Sequence, residues 1–217
     1  ILENTDDFES EINNIIRDVM VNHKRIIFNG DGYSLEWEEE AKKRGLPNIT
    51  NTLDAISALT CSKNEEMLTH LGIFTNVELS SRSEISLEAY VKLIQVEALT
   101  AIKMVKNQIY PASLRYLGEL TNTLIGLDGC GVDSEYLHDD IEELSSLIKQ
   151  VKVIANKLED HIKKVQKTEE ISDKAIVIKN KVLKAMEELR KVVDEVETKV
   201  DSEYWPIPTY IDLLFSI

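Results

Sequence analysis

The chain has 217 residues, 43% of them hydrophobic, a formal net charge of −14, and only 8 glycines and 4 prolines. This length and apolar content suit one large domain or two small ones with a real core and exclude a disordered chain, while scarce Gly and Pro beside abundant Lys, Glu, Leu, Ile and Val point to an all-α fold. The negative field repels phosphate backbones and anionic lipid, so neither nucleic acid nor a membrane is an expected partner.

The N-terminal ILENTDDFES has no basic or apolar signal-peptide region, and no run reaches 18 apolar residues. Asp6 and Glu9 form a capping box for a first helix over 7–23, carried by Phe8, Ile12, Ile15, Ile16 and Val19 at helical spacing. KRIIF then reads as a connector or a short buried strand, with the connector favoured. Ser34 is placed as the N-cap of a short amphipathic helix, LEWEEEAKKR, that Gly45 and Pro47 end. Further helices start at Thr52, at Ser62 through the capping box SKNE with Gly72 as C′ residue, and at Thr75 through a second box, TNVE. The last of these runs to about Ile109, where Pro111 should kink or restart it, and GLDGCG stops the pattern after Leu127.

The final third is the most regular. Leu137, Ile141, Leu144, Ile148, Val151, Ala155, Leu158, Ile162 and Val165 form one heptad seam; Ile171, Ala175, Ile178, Val182, Ala185, Leu189, Val192, Val196 and Lys199 form a second. Two helices, each roughly 45 Å long at 1.5 Å per residue, should fold back as a long antiparallel coiled-coil-like hairpin over 134–200 that projects from a helical body over 1–133. One unbroken rod is the alternative, since QKTEEIS holds no Gly. The tail over 201–217, YWPIPTYIDLLF within it, is too apolar to stay in water and should dock on this body or on a neighbouring subunit.

Few residues look like chemistry. FNGDGYS lacks the Lys and spacing of a phosphate loop and the third glycine of a dinucleotide loop, and read as a calcium loop from Asn29 it puts Tyr33 and Ser34 where a ligand and a Gly belong. An irregular metal site at Asn29 and Asp31 is the residual functional reading. The structural one is stronger: Asn29–Gly30 and Asp31–Gly32 make a tight double turn that delivers Ser34 as a cap, with Trp37 as a core anchor. His23, His70, His138 and His161 fall into no HxxxH or HExxH pattern, and in His138-Asp139-Asp140 consecutive helical positions point apart. There is no GxSxG elbow, and Cys61 and Cys130 belong to no CxxC motif, which fits a reducing cytoplasm.

Three stretches together define more. IIFNGDGYSLEWEEEAKKRGLPN over 26–48, the series TLDAI, SRSEISLEAY, VEALTAIKM and IYPA between residues 52 and 112, and the closing EYWPIPTYIDLLFSI stand in the order found in the C-terminal region of type III glutamine synthetases, which this chain resembles. The matching positions are Asn29, Gly30, Asp31, Gly32, Ser34, Trp37, Gly45, Pro47, Trp205, Pro206, Pro208 and Tyr210. The resemblance implies a parent enzyme that joins ammonia to glutamate through a γ-glutamyl phosphate, using ATP and Mg or Mn bound in a preceding catalytic domain, in large cytoplasmic homo-oligomers. It implies no catalytic, cofactor-binding or metal residue on this chain, which alone is expected to be inactive. Its expected partners are the parent's catalytic domain and neighbouring subunits.

A stand-alone helical adaptor that binds a partner protein through its heptad hairpin is the competing expectation. The chain starts at Ile1 without Met, as expected of a piece of something longer. Sequencing the gene upstream of the Ile1 codon separates the two: a continuous frame of several hundred residues with glutamate-rich metal motifs is expected, and a start codon immediately before Ile1 would favour the adaptor.

Overall fold

A computed structural model describes residues 7–215, the side chains of Tyr210 and Ile211 excepted. All regular structure among the described residues is helical, and the chain divides into two compact units, Ile1–Asp54 and Ala55–Ile217.

In the first unit α1 spans Phe8–Asn22. Its cap is Asp7, whose carboxylate accepts from the Ser10 N–H at 3.1 Å; the expected cap, Asp6, lies outside the described residues. A single 3-10 turn, Lys24–Ile26, follows, so KRIIF is a connector. Helix α2, Leu35–Lys43, is capped by Ser34 as the sequence predicts. Helix α3, Thr52–Leu59, starts where expected, and the unit boundary falls within it.

The second unit continues with α4, Ser62–His70. Its expected capping box does not form: Ser62 is already the first helical residue, and Cys61 occupies the cap position with extended backbone and no side-chain bond. The preceding turn is instead tied by Asn64, whose amide donates to the Ala58 carbonyl at 2.7 Å. The second expected box does form, with Thr75 Oγ1 accepting from the Glu78 N–H at 3.3 Å and the Glu78 carboxylate accepting from the Thr75 N–H at 2.8 Å.

From this cap α5, Asn76–Met104, runs into a π-turn, Val105–Ile109, and on into α6, Tyr110–Gly129. Pro111 explains the wider turn. In an unbroken α-helix its ring would meet the carbonyl four residues back and its missing N–H would orphan one acceptor; a π-turn just before it makes room. The buried Ser113 hydroxyl donates to the Ile109 carbonyl at 2.8 Å and satisfies that part of the altered ladder. GLDGCG ends the helix, with Gly131 at φ 72° and the Val132 N–H closing onto the Leu127 carbonyl at 3.1 Å. The buried Ser134 hydroxyl donates to the Asp128 carboxylate across this reversal.

Helix α7, Glu135–Lys167, stops at a break over 168–170, and the chain returns through α8, Ile171–Val177, a second π-turn, Ile178–Val182, and α9, Leu183–Lys199. Lys157 meets Glu188 at 2.8 Å and Lys199 meets Glu143 at 2.7 Å, so the two arms run antiparallel and the single-rod alternative is overturned. The first seam is dry except at Ile141, which is half-buried. The second is half-buried at Ile171 and dry from Ala175 to Leu189 as predicted, but its last positions move: Val193 and Val200 are buried in place of Val192 and Lys199. A helix of 3.6 residues per turn drifts about 20° per heptad against a strict heptad, and over this length the drift hands the seam to the next residue.

The hairpin does not project. Helices α5 and α6 pack along α7, and α5 also packs on α8, giving a three-helix bundle in which α7 is central. Lys106, in the π-turn after α5, pairs with Glu159 of α7 at 2.8 Å, and Lys152 of α7 sits over the Tyr110 ring. The reason is the width of the apolar face: Leu147 is buried beside the seam, so α7 carries more apolar surface than one partner can cover. Each fully buried Leu, Ile or Val contributes about 1.5–3 kcal/mol, against ~0–1 kcal/mol for an exposed ion pair, so the seam rather than the flanking lysines holds the bundle. Leu158→Ala, at a fully buried seam position, is expected to destabilise this unit by about 2–5 kcal/mol in urea unfolding, whereas Glu188→Ala in its exposed pair should change it by less than about 1 kcal/mol.

Candidate functional site

The motif positions gather in two places, one in each unit. In the first, Asp31 organises the turn: its carboxylate accepts from the Tyr33 N–H at 2.9 Å, and its carbonyl accepts from the Ser34 N–H at 3.2 Å and the Ser34 hydroxyl at 2.8 Å. The Ser34 oxygen in turn accepts from the Trp37 N–H at 3.2 Å and so caps α2. Gly30 lies against Phe28, where an added Cβ would stand 2.5 Å from the tip of the ring. Trp37 is half-buried rather than a core residue, and it stacks on Phe28 with centroids 4.4 Å apart. At the far end of α2, Gly45 adopts φ 71°, which lets the Leu46 N–H close onto the Ala41 carbonyl at 2.9 Å, and the exposed Pro47 follows.

Arg44 connects these pieces, a role the sequence reading missed. Its Nη1 donates to the carbonyls of Arg25 at 3.2 Å and Ile27 at 2.5 Å, its Nε to Glu40 at 2.6 Å, and its guanidinium lies about 6 Å from both the Phe28 and Trp37 centroids. The visible signal was Glu40 and Arg44 at i,i+4; nothing local pointed to carbonyls 17 and 19 residues back. The hydrogen bond from Arg44 holds the Glu40 carboxyl below its ordinary range. The Arg44 fork and the Asp31 carboxylate are thus engaged with the chain itself. This arrangement folds a connector onto a helix and leaves Tyr33 fully exposed at its apex.

In the second unit the closing motif packs at its start. Trp205 is buried, its N–H donates to the Asp201 carbonyl at 3.1 Å, and the neighbouring Tyr204 ring lies 5.5 Å from Tyr116 of α6. The Trp205 indole Nε1 meets no acceptor among the described residues. Pro206 and Pro208 are exposed. Thr209 caps α10, Tyr210–Phe215: its N–H and hydroxyl both donate to Asp212, at 2.8 and 2.7 Å, and lower that carboxyl's pKa. Tyr210 opens this helix, but its side chain lies outside the described residues. Leu213, Leu214 and Phe215 are exposed by 64%, 73% and 74%.

Among the described residues, no three His, Cys, Asp or Glu side chains come together as metal ligands, His138, Asp139 and Asp140 included. No helix among them is long and apolar enough to cross a membrane. Burial first, and then Lys157 and Lys181, hold the His161 imidazole below its ordinary range.

Among the described residues, then, Ser34 caps a helix, Trp37 stacks on Phe28 and Trp205 packs inside its unit. The family model for the glutamine synthetase C-terminal domain matches residues 11–127, more than half of the chain, and the chain belongs to that family. It is 33% identical to a glutamine synthetase of Butyrivibrio fibrisolvens over 98% of its own length, and 30% identical to the type-3 glutamine synthetase of Dictyostelium discoideum over 95%. A glutamine synthetase of Bacteroides fragilis is also 30% identical, over 93% of the chain. The chain spans only 31%, 29% and 28% of these three relatives. The resemblance to type III glutamine synthetases is borne out.

Gly30→Ala is expected to push Phe28 off Trp37, seen as a red shift of Trp37 emission in a Trp205→Phe background, with the cooperative unfolding of the second unit unchanged. The Glu40 contribution to the Arg44 clamp has the sign of a depressed carboxyl: complete above the ordinary glutamate pKa, lost as pH falls through the lowered folded value. Amide exchange over 25–44 should therefore stay slow near neutral pH and speed up, beyond its intrinsic pH dependence, only below the ordinary glutamate range.

Proposed function

We propose that this chain is the non-catalytic, helical C-terminal domain of a type III glutamine synthetase and that it serves assembly of the parent enzyme. On this reading the parent ligates ammonia to glutamate in the cytoplasm, ATP and Mg or Mn bind in its catalytic domain, and this domain contacts that catalytic domain and neighbouring subunits of a homo-oligomer. The observation that carries it is the exposed triplet Leu213, Leu214 and Phe215, at the end of a motif whose first half is already packed. Covering such side chains contributes about 1.5–3 kcal/mol each, a gain that this chain by itself leaves unmade. The alignment supports it too: relatives that match almost the whole chain are about three times as long.

The adaptor reading relied on the heptad seams, and these are used internally; Ala175, Ile178 and Val182 retain no exposure. A regulatory role would use the same exposed surfaces through a different partner. The test is Leu214→Asp with Phe215→Asp in the full-length parent: smaller assemblies in sedimentation velocity are expected, with circular dichroism unchanged. Assemblies of unaltered size would remove the assembly role from this tail. Calorimetry of the isolated chain with ATP and Mg²⁺ is expected to give no heat, and a saturable heat would place a nucleotide site on the chain and overturn the non-catalytic reading.

A further inference from the structure

Helix α1 has no buried residue. Phe8, Ile15, Ile16, Val19 and Met20 are each exposed by 38% or more, and Ile12 is half-buried, so a 15-residue amphipathic helix presents its apolar stripe without a partner. The stripe has an internal symmetry. If Ile15 of one copy faces Ile16 of another in antiparallel register, Ile12 falls opposite Val19 and Phe8 opposite His23, just past the helix end, while Met20 falls opposite Glu11; the centre of the stripe meets its own like. That self-complementarity is what a two-fold contact requires, because the same patch must serve both subunits.

Charge chooses the direction. Asp7, Glu9 and Glu11 crowd the start of α1, while Lys24 and Arg25 follow its end. Antiparallel pairing sets each acidic end against the basic end of the other copy and opposes the two helix dipoles; parallel pairing would set like against like. We propose that α1 pairs antiparallel with α1 of a second copy of this chain, across a two-fold axis between Ile15 and Ile16. The proposal rests on the assembly reading above and supplies it with a second surface, independent of the tail. The helices are only about 22 Å long, and such a pair buries far less than the roughly 800 Å² per partner of a standard interface. The contact is therefore weak in the isolated chain and gains strength where other contacts already hold subunits together.

The test uses the 217-residue chain with Cys61 and Cys130, both exposed, replaced by Ser. In the antiparallel pair Ile16→Cys lies beside its own counterpart and should form a disulfide-linked dimer under mild oxidation. Phe8→Cys lies about 22 Å from its counterpart and should not, whereas a parallel pair would link both. In sedimentation velocity at high concentration, Ile16→Lys should weaken dimerisation about ten-fold or more by setting two cations side by side. Since α1 has no buried residue, circular dichroism should not change. A chain that stays monomeric and uncrosslinked, or that links as readily through Phe8→Cys, overturns the pairing. A dimer indifferent to Ile16→Lys also overturns it, while leaving assembly to another surface. The assembly reading itself fails only in the separate experiment on the parent's tail.

Discussion

A helix of 33 residues with apolar side chains on more than one face has to be covered from two sides, and in the second unit that requirement shapes everything else. Helix α7 packs against both the α5–α6 rod and the returning α8–α9 arm, which also meet each other through α5 and α8, with Leu158 and Val165 fully enclosed. The long rod is helical without a break from Asn76 to Gly129 because it must follow α7; a stop at Pro111 would leave half of α7 wet. A π-turn resolves the conflict between a proline and a continuous partner surface.

The first unit meets a different constraint. Its connector has only a few apolar residues and cannot form a core, so a hydrogen-bonded arginine takes that part. Arg44 gathers two carbonyls, one carboxylate and two aromatic faces, and the invitingly glycine-rich turn becomes a support for α2. Exposed side chains at the turn's apex and along α1 remain outside this arrangement.

Function follows from what each unit leaves unfinished. The bundle uses up its heptad seams and Arg44 is engaged by Glu40 and two carbonyls, while an apolar stripe on α1 and an apolar triplet at the tail stay in water. Surfaces of that kind are suited to protein partners. This agrees with a chain that matches its glutamine synthetase relatives end to end yet spans less than a third of each.

Helix positions, the Ser34 and Thr75 caps, the Gly45, Gly72 and Gly131 stops and the hairpin seams were legible in the sequence, because they depend on contacts within a few residues or on strict periodicity. The shifted end of the second seam was not, since helical drift accumulates below the resolution of a heptad count. Nor was the cap of α4, which depended on a turn tied by Asn64. By itself the sequence determined an all-helical chain and the family motifs. Only the tertiary structure decided that the hairpin lies within a three-helix bundle rather than projecting from it, and that Arg44 rather than the glycines organises the motif. Both outcomes depend on which distant surfaces meet: the breadth of an apolar face and the reach of a guanidinium to carbonyls 17 and 19 residues away are properties of folded space, not of neighbours along the chain.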